Sequence, residues 1–141
     1  MKVKFATLFL SIALTAAGCS TPAATPAATK APSVTEVHVK LSEFKVELDR
    51  SSIPAGPVKF LVSNTGTITH ELVLEAADAV DVAMQMDGKA AEAENVGPGK
   101  TGTLEWTLDK PGTYRLACHI NALNVDHFKD GMSTLITVTV A

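Results

Sequence analysis

GTYRLACHINALNVDHFKDGM, residues 112–132, places a cysteine, a histidine and a methionine on one loop. Cys118 ends a strand-like run, His127 follows nine positions later, and Met132 follows five after that. Ahead of the run stands the turn Asp109-Lys110-Pro111-Gly112, and behind it the chain closes on alternating aliphatics, Leu135, Ile136, Val138 and Val140. A thiol, an imidazole and a thioether therefore leave one strand end and meet before the last strand begins. A fourth donor, His70, opens another strand just after the turn formers Asn64-Thr65-Gly66.

Outward from this loop the pattern is one of short strands. Thr101 to Leu108 alternates and leads through the Pro-Gly turn into Thr113 to Cys118 at hairpin spacing. Val58 to Val62 is bounded by Pro54, Gly56 and Pro57 on one side and by Asn64 to Gly66 on the other. Val34, Val37, Val39 and Leu41 give a first strand with partial alternation, and His70 to Glu75 gives a third. Repeated short strands with Gly and Pro turns predict an all-β antiparallel sandwich of eight strands or so. Ala76 to Asn95, rich in Ala, Asp, Glu and Met, is expected to carry a short helix or a mobile excursion.

The N-terminal quarter reads differently. Lys2 and Lys4 precede an apolar stretch, Phe5 to Leu14, and small residues, Ala16-Ala17-Gly18, lead to Cys19. This is the layout of an export signal, too short to span a bilayer as a mature helix. Its ending resembles the lipobox of bacterial lipoproteins, whose cysteine is diacylated, although Ala16 stands where a Leu is usual. Residues 20–33 are Ala, Thr and Pro with one charge, Lys30, and read as a disordered tether. The expected organisation is a signal peptide over 1–19, the tether over 20–33 and one folded domain over 34–141. The expected location is outside the cytoplasm, on a membrane through a two-chain anchor at Cys19, facing a periplasm or the cell exterior.

Export makes the cysteine count informative. With Cys19 acylated or removed, Cys118 is the one thiol left in an oxidising compartment, where cysteines are normally paired or avoided. A metal would shelter it. Two imidazoles and a thiolate in one plane, with a weak axial thioether, form the ligand set of a blue-copper electron-transfer site. Imidazole suits copper(II) and thiolate suits copper(I), so such a site changes little when an electron arrives. The metal-ligating residues are thus read as His70, Cys118, His127 and Met132. His119 competes with His127, but the neighbour of a strand-ending cysteine points to the opposite face. His38 is read as structural or surface. Met84 and Met86, close together in the excursion, are read as packing or exposed, with a soft copper(I) entry point as the alternative.

These residues resemble the cupredoxin family, its small plastocyanin-like and auracyanin-like members most of all. Gly56-Pro57-Val58-Lys59-Phe60-Leu61-Val62-Ser63-Asn64-Thr65-Gly66 before His70 looks like the strand leading to the first ligand. Pro111-Gly112-Thr113-Tyr114 looks like the hairpin into the cysteine, and His127 with Gly131-Met132 looks like the closing His-x-x-x-Gly-Met. The resemblance implies a Greek-key β-sandwich holding one copper ion that passes single electrons to transient redox partner proteins. Two departures stand out. Eight residues separate Cys118 from His127, more than in most plastocyanin-like members, which leaves site geometry, colour and potential open. Glu71 stands where many members carry an Asn that ties the ligand loops together.

Composition narrows the alternatives. From Val34 onward nine Lys and Arg face fifteen Asp and Glu, with no basic stripe, so nucleic acid is not an expected partner. No Ser-His-Asp arrangement, phosphate-cradling Gly loop or converging carboxylate pair suggests an enzyme. A monomer is expected. The rival function is a periplasmic copper carrier or sequestering protein on the same fold.

Overall fold

A computed structural model describes residues 33–122 and 124–140. The signal segment with Cys19, and the tether apart from Ser33, lie outside the described residues. What is described is all strand and turn, without a helix among the described residues. Two sheets share one core. The first has the order β2 (Lys45–Leu48), β1 (Thr35–Ser42), β4 (Gly56–Asn64) and β9 (Thr101–Leu108). The second has the order β3 (Ser52–Pro54), β13 (Ser133–Thr139), β10 (Gly112–Ala117), β5 (His70–Ala76) and β8 (Glu92–Val96). Two small hairpins complete the set: β6 (Gln85–Met86) with β7 (Lys89–Ala90), and β11 (Asn121–Ala122) with β12 (Val125–Asp126).

Period-two alternation sends one row of each strand into the core. Val37, Val39 and Leu41 of β1, Val58, Phe60 and Val62 of β4, and Leu104, Trp106 and Leu108 of β9 line one side. Leu72 and Leu74 of β5, Leu116 of β10, and Ile136 and Val138 of β13 face them. Burying each such side chain contributes about 1.5–3 kcal/mol before the entropy of ordering it is counted. The sandwich is not wholly antiparallel. β1 runs parallel to β4, and β3 runs parallel to β13, because the chain crosses from sheet to sheet between β2 and β4.

The helix expected within Ala76 to Asn95 is absent, and this segment is instead a turn, the β6–β7 hairpin and β8. The physical reason lies in its turn residues. Asp87 and Gly88 both take positive φ, 52° and 77°, the backbone of a two-residue hairpin that Asp-Gly favours. Asp81 is likewise left-handed at φ 58°, which ends any local helix. The segment pairs with β5 through Met84 N–H to Leu74 O and Leu74 N–H to Ala91 O.

Candidate metal centre

The same alternation that builds the core delivers the site to one end of it. On β5, Leu72 and Leu74 face inward, and His70 at the start of the strand shares their face. On β10, Leu116 faces inward, and Cys118, two residues on, continues that row past the strand end. His70 and Cys118 are each 0% exposed. The loop that brings in His70 is shaped by buried Asn64. Its Nδ2 donates to Ile68 O and Val96 O, each at 2.7 Å, while its Oδ1 accepts from Gly66 N–H at 2.8 Å.

His127 comes from the long loop after Cys118. Its eight intervening residues do not stretch the site, because β11 and β12 fold them back as a hairpin. His127 N–H donates to Ile120 O at 3.1 Å, closing the base of that hairpin. Met132 N–H then donates to His127 O at 2.9 Å, and Cys118 N–H to Met132 O at 3.1 Å. The backbones of Cys118, His127 and Met132 are thus bonded in a chain, and Met132 is fully buried.

The donor atoms converge. His70 Nδ1 and His127 Nδ1 are 3.2 Å apart, and Cys118 Sγ lies 3.3 Å from His127 Nδ1. All three sit within 4.8 Å of one another. Three donors about 2 Å from a common centre in a plane are about 3.5 Å apart, so this spacing suits a single small ion. His119 is not in the group. Its imidazole lies on the outer face, with Nε2 2.6 Å from Oε1 of fully buried Glu75. Glu75 Oε2 accepts from Arg115 at 3.2 Å, and the His119 ring stacks on Phe128 with centroids 4.7 Å apart. His38 is exposed on the outer face of β1, and Met86 is exposed on β6.

Burial governs the electrostatics. Desolvation holds the His70 imidazole below the usual histidine value, with the neighbouring His127 acting in the same direction. Desolvation pushes the Cys118 thiol up, opposed by N–H groups of Glu71 and Ile120 directed at the sulfur. Without a metal the site therefore keeps a protonated thiol beside a neutral His70 imidazole, ready to exchange one proton for a cation.

Glu71 joins the ligand loops in its own way. Its Oε1 accepts from His119 N–H at 2.9 Å, so a carboxylate links the His70 strand to the residue after Cys118. Two further residues that the sequence reading does not single out stand against the imidazoles. Phe44 meets His127 edge-on, with centroids 5.1 Å apart and planes at 60°. Glu43 Oε1 lies 3.8 Å from His70 Nε2. Both belong to the turn between β1 and β2, and nothing in their local sequence signals a site 26 or more residues away.

A profile described as a cupredoxin-like domain matches residues 8–126, ending one residue before His127. No curated protein matches the chain. Among solved structures, auracyanin B aligns with a TM-score of 0.59 at 21% identity, covering 79% of this chain and 92% of that one. Dithionite-reduced auracyanin from the photosynthetic bacterium Roseiflexus castenholzii aligns at 0.51 and 24%, covering 77% and 98%. Auracyanin A, described as a "blue" copper protein from the green thermophilic photosynthetic bacterium Chloroflexus aurantiacus, aligns at 0.55 and 17%, covering 76% and 100%. At these identities the likeness is one of fold.

Proposed function

Since the chain belongs to the cupredoxin-like domain family, we propose that it is a mononuclear copper protein that carries single electrons. In this reading His70 Nδ1, Cys118 Sγ and His127 Nδ1 would hold the copper, with the Met132 thioether as a weaker fourth donor. The carrying observation is the convergence of those three donors, one from the start of β5 and two from the connection after β10, in a buried pocket at one end of the sandwich. Copper held there would supply a one-electron couple. The protein's part is to keep the donors in place in both oxidation states, and the bonded backbones of Cys118, His127 and Met132 serve that end. Glu71 and Ile120 N–H groups aimed at Sγ stabilise the thiolate once its proton has left.

The match of the auracyanins in fold supports an electron carrier over an enzyme, and one such neighbour is a "blue" copper protein. Burial of His70, Cys118 and Met132 favours retention of the ion over its release to a recipient, which is what a carrier requires. His127, at 3% exposed, is the least buried of the three donors, and in this reading the electron would leave through it. Partners would dock there weakly and briefly, as small electron-transfer interfaces do. The domain over 34–141 is read as extracytoplasmic, monomeric, and tethered by residues 20–33 to a lipid-modified Cys19.

Copper(II) added to the purified domain should give an intense thiolate-to-copper visible band and a matching EPR signal, both lost in Cys118→Ser. Identical spectra from parent and variant would remove the proposal. His127→Ala should abolish the band and His119→Ala should leave it.

A further inference from the structure

Among the described residues, His70 Nε2 is the one buried side-chain nitrogen or oxygen without a hydrogen-bond partner. An imidazole that offers Nδ1 to a metal carries its proton on Nε2, and that N–H needs something to face. The group it faces is Glu43, whose Oε1 stands 3.8 Å away. The carboxylate is itself fixed. Oε1 accepts from Thr67 N–H at 2.5 Å, Thr67 Oγ1 at 3.2 Å and Ile68 N–H at 3.0 Å. Gly66 makes room for it, since a Cβ there would stand 2.5 Å from Oε1. Three donors converging on one oxygen favour the carboxylate anion.

We propose that Glu43 is a positioning residue for His70. Its carboxylate, anchored across the Thr67-Ile68 loop, holds the imidazole in the Nε2–H tautomer and aims Nδ1 at the metal position. The opposite tautomer would turn a lone pair on Nε2 toward the anion, so the two charge distributions differ in energy in one direction only. The turn carrying Glu43 also carries Phe44 against His127, so one short connection steadies both imidazoles. The consequences for affinity and potential rest on the copper reading, whereas the tautomer does not.

The test compares the parent, Glu43→Gln and Glu43→Ala, with Glu105→Gln as a control, since Glu105 pairs with Lys59 on exposed surface. Nitrogen-15 NMR of the metal-free domain should find His70 as Nε2–H in the parent and as a mixture in both Glu43 variants. With copper bound, Glu43→Gln should raise the reduction potential, because an anion beside the site favours the more highly charged oxidised ion. It should also weaken copper(II) binding by about 10–100-fold. Glu105→Gln should match the parent. If Glu43→Ala fails to fold, Glu43→Gln carries the test, because its amide oxygen still accepts from Thr67 and Ile68. Unchanged tautomer, potential and affinity in Glu43→Gln would overturn the inference and leave Glu43 as a loop brace. A parent that shows the Nε2–H tautomer yet forms no thiolate-to-copper band would sink the copper reading while upholding this one.

Discussion

Glu75 is a carboxylate with no exposed surface, bonded to His119 on one oxygen and to Arg115 on the other. Arg115 in turn donates to the carbonyls of Ala77 and Ala79, pinning the start of the excursion after β5. Buried ionic groups of this kind contribute little as a set but cost a great deal when one member is removed. Glu75→Leu should therefore destabilise the fold by about 3–5 kcal/mol, because Arg115 is left without its counter-charge. Chemical denaturation measures it, and a loss below about 1 kcal/mol would show the network to be dispensable. At this scale the sequence was most legible where alternation applied. It separates Cys118 from His119 by face, and the structure does send His119 to Glu75. Glu43, Phe44 and the Glu75 network were not legible. They meet their partners only through tertiary packing, and a carboxylate or a phenylalanine has many uses that carry no spacing signature.

Strands with strict alternation and clear turn residues at both ends were readable from the chain, and β9 spans the segment expected of it, Thr101–Leu108. β2, β3 and β8 are shorter, and Ser52–Pro54 is too brief for any periodicity to register. The expected helix does not form because Asp87-Gly88 sets a two-residue hairpin that the alanine and glutamate content around it does not override. The parallel pairing of β1 with β4 depends on where the chain crosses between sheets, which local pattern does not encode. β4 lies between β1 and β9, and its Phe60 is fully buried in the shared core. Phe60→Ala should cost about 3–5 kcal/mol in equilibrium unfolding, since the site left behind cannot collapse between two paired sheets. A loss near 1 kcal/mol would mean that the neighbouring strands close over the cavity.

For the whole metal-free domain, the buried donors set the pH range of stability. His70 resists protonation when folded, so below its ordinary value of 6.5 the unfolded chain binds a proton the native state refuses. Stability therefore falls as the pH drops from 6.5 toward the lowered native value. Cys118 has the opposite shift, so above 9.0 the unfolded chain loses a proton the native state retains, and stability falls again. Thermal unfolding across pH should give a plateau between these limits, and His70→Asn should flatten the acid shoulder. An acid shoulder unchanged in that variant would assign it to other groups. Copper, which binds only the native arrangement, should raise the unfolding temperature more within the plateau than below it, where His70 begins to take up a proton that competes with the metal.

The hairpin of β11 and β12 has one more consequence. Because its base is pinned by His127 N–H to Ile120 O, the number of residues in its tip is uncoupled from the distance between sulfur and imidazole. Substitutions in the described tip residues Ala122 and Asn124 should therefore leave the backbone bonds of His127 to Ile120 and Met132 in place.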